Sequence, residues 1–136
     1  MNRVVITGTG IYSTIGRNLD EVKESLFNGK SGVVLDPERK SYGYQSGLTG
    51  KLDRPQLKGI LDRRARVCMP EHAEYAYMST AEALRMAGIS PEYLKNNEAG
   101  ILFGNDSSTP AVIECVDIVR ARRDTTMVGS GSVSSR

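Results

Sequence analysis

The stretch that decides the fold is "VVITGTGIYSTIG", from Val4 to Gly16, in which a β-branched run breaks into closely spaced glycines. A short run of this kind flanked by glycine is typical of a fully buried strand in a parallel sheet. The glycines that follow serve either a phosphate-binding loop or a tight turn from strand to helix. Their spacing separates the two interpretations.

That spacing departs from the known phosphate-loop patterns. A dinucleotide fingerprint requires Gly-x-Gly-x-x-Gly, but after Gly8 and Gly10 the third position here is Ser13. The acidic residue expected about twenty residues further on, at the end of a second strand, has only Asp36 as a candidate, after the weak run "GVVL". No Gly-Lys-Ser/Thr of a P-loop follows either. The pattern favours a tight turn, and a Rossmann-type nucleotide binder is the least favoured function.

The sequence after the loop predicts helices separated by short strands. Asn18 and Glu21 form a capping-box-like pair before an apolar stripe, and Gly29 ends that helix. Further helices are predicted at 55–66, from Pro70 to about Met86 with a stop at Gly88, and after Thr109 and Pro110. Strands are predicted at Arg3–Thr7, in "SGVVL" and "YQSGLTGKL" on either side of the polar turn "DPERKSYG", and in "AGILFGN" at Ala99–Asn105. Strand, loop and helix in this order begin a βαβ unit, so the fold class is α/β.

One face of the helix after Pro70 carries only small side chains. They recur at alternating three- and four-residue spacing: Ala73, Ala76, Thr80, Ala83 and Ala87. Such a face predicts that another segment packs closely against this helix.

Composition excludes several classes of protein. The 136 residues are 39% hydrophobic and 25% charged with a formal net charge of +2, which is typical of one domain and gives no overall signal for nucleic-acid or membrane-surface binding. No stretch reaches the ~18 apolar residues of a membrane span, and the start "MNRVVITGTG" lacks a signal-peptide core, so a cytoplasmic location is expected. Cys68, Cys115 and His72 form no metal-ligand or disulfide pattern, so no metal and no cofactor are expected.

Several motifs in order resemble a known enzyme family. "VVITGTGIYSTIGRNLDEVKESLFNGKSGV" resembles the amino terminus of the β-ketoacyl-acyl-carrier-protein synthases, including the closing "NGKSGV" at Asn28–Val33. "GILDRRARVCMPEHAEYAYMSTAEALRMAGISPEYLKNNEAGILFGND" is similar to the family's basic segment, alanine-rich helix, A-G-I/L-S-P turn and following strand. The resemblance covers residues 3 to about 128, which we interpret as one domain, 1–128, followed by a flexible or truncated tail at 129–136.

The resemblance implies a thiolase-like fold, in which two similar βαβαβαββ halves form a mainly parallel or mixed sheet covered by helices. This chain would supply most of the first half, and its glycine loop would be scaffold. The complete enzyme would be a homodimer that uses no cofactor. Exposed strand edges in half of such a fold predict dependence on the other half.

The family's chemistry implies groups that this chain lacks. These enzymes load an acyl group onto a cysteine and attack the thioester with a carbanion formed by malonyl decarboxylation, with two histidines, or a histidine and an asparagine, stabilising the oxyanion. Neither Cys68 nor Cys115 lies in an S-x-A-C-A-like segment, so both are interpreted as packing residues, and His72 as a surface or capping histidine. The nucleophile and both histidines are expected beyond Arg136, and the chain alone is predicted to be inactive. A non-catalytic partner of a synthase, similar to a chain-length factor, is the alternative.

Two segments are candidate sites through the resemblance. In the family the basic segment meets the acidic acyl carrier protein, and here its basic residues are Lys58, Arg63, Arg64 and Arg66. The alternative is a solvated helix end whose charges pair with Asp62 and Glu71. In "GNDSSTP" the resemblance places Ser107 and Ser108 near the acyl pocket, although an N-cap-rich turn explains these polar residues as well.

Overall fold

The computed structural model describes residues 3–41, 43–67 and 69–105, with the helical positions 113, 117, 120 and 121. Contacts divide the chain into two compact units. Unit 1 comprises Met1–Asp53 and Tyr77–Glu98, and unit 2 comprises Arg54–Ala76 and Ala99–Arg136. Apart from those helical positions, the helix predicted after Thr109 lies outside the described residues, as do the domain boundary at 128 and the tail.

The first helix of unit 1, α1, spans Leu19–Phe27. Asn18 Oδ1 accepts a hydrogen bond from Glu21 N at 2.9 Å, and Glu21 Oε2 accepts one from Arg17 N at 2.8 Å. Gly29 follows the helix with a φ of +61°, a left-handed conformation that favours glycine. The predicted capping pair and the predicted end are therefore both confirmed.

A pair of antiparallel strands follows, β1 at Val33–Leu35 and β2 at Leu48–Gly50, with Val34 opposite Thr49. This confirms the predicted strand pair. The segment between them was predicted to be a polar turn, but it contains a short helix, α2, at Pro37–Ser41. Asp36 Oδ1 accepts a hydrogen bond from Glu38 N at 3.0 Å, which caps α2, and proline suits a first helical position.

The predicted helix at 55–66 is mostly wrong. Its first part is a turn in which the Leu57 carbonyl accepts hydrogen bonds from Ile60 N and Leu61 N. Gly59 has a φ of +91°, which no right-handed helix contains, so the helix α3 covers only Arg63–Val67.

The long helix α4 spans Glu71–Ala87, directly after Pro70, and Gly88 follows it with a φ of +68°. This confirms the prediction at both ends. The short helix α5, at Pro91–Asn96, begins after Ser90, whose Oγ accepts a hydrogen bond from Tyr93 N at 3.1 Å. No helix in the described part of the chain is long and apolar enough to cross a membrane.

The strands predicted at Arg3–Thr7 and Ala99–Asn105 are not paired with any strand in the described residues. Their apolar side chains face solvent: Val4 is 95% exposed in unit 1 and Leu102 is 98% exposed in unit 2. A β-branched run becomes a strand only when a neighbouring chain pairs with its N–H and C=O groups. The described residues place no such neighbour beside either segment.

Candidate functional site

The glycine loop of unit 1 packs against the backbone of α4. A Cβ added at Gly10 would lie 1.9 Å from the Ser79 carbonyl oxygen, and one added at Gly8 would lie 2.2 Å from the Ala83 carbonyl oxygen. Atoms that are not bonded to each other do not approach so closely, so both positions require glycine. For Ala83 and Ala87, which approach Gly8, the predicted close packing of the small-residue face is confirmed.

Several N–H groups of this loop and of the helix start after it donate to groups of the protein itself. Glu82 accepts a hydrogen bond from Ile11 N at 2.9 Å through Oε2 and one from Leu19 N at 2.8 Å through Oε1. Ser13 and Gly16 bond each other's backbone, with N to O distances of 2.8 and 3.2 Å. Leu19 N belongs to the first turn of α1, where a pyrophosphate would bind in a nucleotide-binding protein.

The carboxylate of Glu82 therefore lies where a phosphate would have to bind. The loop connects strand-like chain to helix and is held by an internal anion, which agrees with the scaffold interpretation. Sequence reasoning missed Glu82. Its one signal is an acidic residue between Ala81 and Ala83 on an otherwise small, apolar stretch of helix.

A second set of contacts in unit 1 fixes the carboxyl end of the same loop. Tyr12 Oη donates to the Asp53 carbonyl at 3.0 Å, and Arg17 Nη2 lies 3.0 Å from Asp53 Oδ2. Burial raises the pKa of the Tyr12 hydroxyl, Arg17 lowers it and the Asp53 charge adds to the rise. These groups keep a neutral tyrosine and an exposed ion pair, which is a structural arrangement.

The α1 surface of unit 1 carries an apolar groove of about 400 Å³. Its lining residues are Leu19, Val22, Lys23, Leu26 and Phe27. Lys23 is the one polar residue among the described residues that line it, so these residues do not supply the convergent polar groups of a small-molecule site.

In unit 2, the predicted basic residues fall on α3 and the turn before it. Lys58, Arg63 and Arg64 are exposed. No carboxylate among the described residues lies within ion-pair distance of these three side chains. Their charges are therefore available to a partner.

Arg66 differs from the other three. It is half-buried, and its Nε–H donates to the Leu61 carbonyl at 3.2 Å, so its guanidinium helps to close the turn before α3. The structure thus brings the four predicted residues into one segment and gives Arg66 a structural contact of its own.

The acidic residues expected to neutralise this segment are engaged elsewhere. Asp62 Oδ1 accepts a hydrogen bond from Ala65 N at 2.7 Å, which caps α3, and Glu71 Oε1 accepts one from the Tyr75 hydroxyl. Among the described residues no ion pair joins Asp62 or Glu71 to Lys58, Arg63 or Arg64, and a solvated helix end stays the alternative to a docking surface.

An ion pair between an exposed arginine and a buried glutamate lies next to this segment in unit 2. Arg54 donates through Nε to Glu74 Oε2 at 2.9 Å and through Nη2 to Glu74 Oε1 at 2.6 Å. The hydrogen bond to Glu74 raises the pKa of the Arg54 guanidinium, although burial opposes this. Burial, followed by the hydrogen bond to Glu71, raises the pKa of the Tyr75 hydroxyl. Sequence spacing gave no sign of the pair, because its partners are 20 residues apart.

Other candidate residues fall largely outside the described part of the chain. Cys68, Cys115, Ser107 and Ser108 are among the residues whose structure is not described, so their predicted roles stay predictions. His72 is described and is exposed, as predicted for a surface histidine.

Comparison with known proteins gives one family. Residues 1–134 match the family model described as the N-terminal domain of beta-ketoacyl synthase. A 3-oxoacyl-[acyl-carrier-protein] synthase 1 of Escherichia coli strain K12 is 38% identical over 133 residues, which cover 95% of this chain and 32% of that protein. Its counterpart in Haemophilus influenzae is 35% identical over 136 residues, covering 98% and 33%. The chain spans about a third of the length of these relatives.

A solved structure gives the fold. The chain matches the crystal structure of a beta-ketoacyl synthase from Burkholderia phymatum with a TM-score of 0.83 and 25% sequence identity. The match covers 99% of this chain and 34% of the synthase chain. The predicted thiolase-like α/β fold class is thereby confirmed, even though the strands at each end of the prediction lack partners in the described residues.

Proposed function

Because the chain belongs to the beta-ketoacyl synthase family, we propose that it works as the amino-terminal portion of a β-ketoacyl-acyl-carrier-protein synthase, with residues 1–128 forming the first half of the domain. The complete protein joins the acyl group of one thioester to a malonyl thioester, which gives a 3-oxoacyl thioester and releases carbon dioxide and the thiol that carried the acyl group. The names of the relatives, all acyl-carrier-protein synthases that form a 3-oxoacyl product, support this reaction.

The reactive groups of that reaction lie outside residues 1–136 in this proposal. The nucleophilic cysteine and the two histidines belong to the part of the relatives' length that this chain does not span. Purified 1–136 is expected to release no carbon dioxide from a malonyl thioester, measured with a labelled carboxyl group. Release that Cys115→Ala abolishes would contradict the assignment of the cysteines as packing residues.

A non-catalytic partner of an active synthase differs from this proposal at the nucleophile position. The labelled-malonyl assay on a protein of the relatives' full length that contains this chain separates the two functions. We expect carbon dioxide release that disappears when the nucleophile is replaced by alanine. No release from the intact protein would favour the non-catalytic partner.

The observation that carries the proposal for this chain's own role is the exposed basic cluster of Lys58, Arg63 and Arg64, which has no ion-pair partner among the described residues. We assign it, with Arg66 supporting the turn, to docking of the acidic acyl carrier protein that delivers the thioester. A local patch of one sign raises the association rate of a partner of the opposite sign even when the net charge is only +2.

Calorimetric titration with a purified acyl carrier protein tests the docking function. The double variant Arg63→Ala/Arg64→Ala is expected to bind on the order of tenfold more weakly, since each exposed contact with an acidic partner contributes modestly. Affinity equal to that of the unaltered chain would overturn the assignment.

Three finer points of the proposal rest on the family resemblance. The complete protein is a homodimer in the cytoplasm, which light scattering and cell fractionation test. A monomer at micromolar concentration, or a membrane-bound pool, would contradict it.

We also place Ser107 and Ser108 in the acyl pocket, so Ser107→Phe in the complete enzyme is expected to shorten the acyl chains it accepts. An unchanged product length would remove that assignment.

A further inference from the structure

An ion pair between the exposed Arg54 and the buried Glu74 joins the two ends of the segment of unit 2 that carries the basic cluster. The two hydrogen bonds described above join Arg54 to Glu74, which lies 20 residues further along the chain. The segment between them contains Lys58, Arg63 and Arg64. We call this pair the clasp. It belongs neither to the exposed cluster nor to the glycine loop, and the family resemblance assigned it no role.

The burial of Glu74 makes the clasp a constraint on geometry. Glu74 is only 8% exposed, and a carboxylate removed from water is stable only with a charged or hydrogen-bonding partner. The planar guanidinium of Arg54 satisfies both carboxylate oxygens at once, which fixes orientation as well as distance. Arg54 and the first turn of α4 are therefore held together.

Local contacts fix the segment between the two ends. Leu57 is 4% exposed and is the buried anchor of the turn before α3. Asp62 caps α3, and Arg66 bonds the Leu61 carbonyl. With its ends joined and its turn anchored, the backbone that carries Arg63 and Arg64 is held in one arrangement, and both side chains are exposed.

We propose that the clasp pre-organises the basic cluster for the acyl carrier protein, so that Glu74 is a positioning residue for docking; this inference rests on the proposed docking function. A pre-ordered surface binds more tightly because less freedom is lost on association. Steering by charge depends on the charges themselves, so the clasp acts on the dissociation rate and leaves the association rate nearly unchanged.

Glu74→Gln separates positioning from simple charge. The variant keeps Arg54, Arg63 and Arg64 and makes the chain more positive by one charge. If charge alone determined affinity for an acidic partner, the variant would bind more tightly. The clasp predicts the reverse, because a neutral amide cannot accept both guanidinium hydrogen bonds.

The experiment measures association and dissociation rates of a purified acyl carrier protein on the immobilised chain. Glu74→Gln is expected to raise the dissociation rate roughly three- to tenfold with an unchanged association rate, as expected for lost pre-organisation. The matched control is Asp53→Asn, at the residue directly before Arg54. It makes the same change in net charge as Glu74→Gln, but it breaks the exposed ion pair with Arg17 and leaves the clasp intact. It is expected to leave the dissociation rate unchanged.

A second variant, Arg54→Lys, tests the same inference if Glu74→Gln does not fold. Arg54→Lys keeps every charge and loses only the two-point geometry, so it is expected to raise the dissociation rate in the same direction. Wild-type dissociation rates in whichever of these variants fold would overturn the clasp while leaving docking intact. Wild-type binding by Arg63→Ala/Arg64→Ala would instead overturn the docking function itself, and the clasp inference with it.

Discussion

Glu82 in unit 1 and Glu74 in unit 2 both belong to α4, and each closes a loop of the chain in a different way. Glu82 accepts hydrogen bonds from two backbone N–H groups, those of Ile11 and Leu19, so it occupies two donors of the kind that a bound anion would need. Glu74 accepts both of its hydrogen bonds from one arginine side chain. The first arrangement makes a loop into scaffold, and the second fixes a segment while leaving its basic side chains exposed.

The difference shows why a glycine-rich loop after a strand-like run is no sign of nucleotide binding by itself. The decisive observation is which atoms the loop's N–H groups contact. Here the contacts are internal, and the charges available to a partner lie on a segment without any phosphate-binding pattern.

The largest expected effect is a loss of stability when the packing of the glycine loop on α4 is disrupted. Gly10→Ala would place a Cβ 1.9 Å from the Ser79 carbonyl oxygen, an overlap with backbone that no rotamer relieves. We expect unfolding to become easier by about 3 kcal/mol or more, as for severe overpacking, measured by urea denaturation followed by circular dichroism. Gly104→Ala, where a Cβ meets nothing within 4 Å, is the control. Equal stability of the two variants would show that the loop does not pack on α4.

Removing the Arg54 side chain tests how much the clasp contributes to the free energy of unfolding. Arg54→Ala leaves the buried Glu74 carboxylate without its charged partner, which costs about 3 kcal/mol when such a pair is fully buried and less here because Arg54 is half exposed. Arg17→Ala breaks a pair in which both side chains are exposed, and should cost at most about 1 kcal/mol. Urea denaturation of both variants measures the difference. Similar losses would mean that Glu74 is not effectively buried.

Glu82→Gln probes the internal anion directly. The amide keeps the size of the side chain but presents one acceptor oxygen in place of two, so one loop N–H loses a charge-assisted hydrogen bond. We expect a loss of about 2 kcal/mol in unfolding free energy, the range for hydrogen bonds to charged groups. Glu24→Gln, at an exposed position of α1, is the matched control with an expected change near zero. A Glu82→Gln variant as stable as this control would remove Glu82 from the scaffold.

The smallest expected effect is a pH dependence in unit 2. Burial and the hydrogen bond to Glu71 raise the pKa of Tyr75 above its ordinary value of 10.0. Above pH 10 the unfolded chain releases a proton that the folded chain keeps, so the stability contributed by Tyr75 is complete below pH 10 and is lost as the pH rises towards the raised pKa. Tyr75→Phe is therefore expected to lose less stability than the unaltered chain between about pH 9 and pH 11. Parallel urea midpoints for the two proteins would contradict the raised pKa.

Features set by neighbours in sequence were predictable. The Asn18 cap, the stops at Gly29 and Gly88 and the start after Pro70 all depend on local backbone geometry, and the structure has them. The helix expected at 55–66 was wrong because Gly59 takes a positive φ. The helix α2 was missed although Asp36 and Pro37 carry ordinary start signals.

Features set by distant contacts were not predictable. Glu82 meets Ile11 across 71 positions and Arg54 meets Glu74 across 20, and no periodicity in sequence links either pair. The strand-like runs around Val4 and Leu102 were identified from their composition, but pairing requires neighbours that composition does not reveal. The basic segment itself was found from sequence. That Asp62 caps α3 and that Glu71 accepts a hydrogen bond from Tyr75 emerged only from the structure.

The most direct test of the account is the affinity of a purified acyl carrier protein for two charge-reversal variants with the same net charge. Arg63→Glu/Arg64→Glu changes the basic cluster, and Lys30→Glu/Lys51→Glu makes the same change at exposed positions of unit 1. We expect the first variant to lose affinity by on the order of a hundredfold and the second to lose only a few-fold, through the altered overall charge. Equal losses in the two variants would show that the attraction is unspecific, and would contradict docking at the cluster.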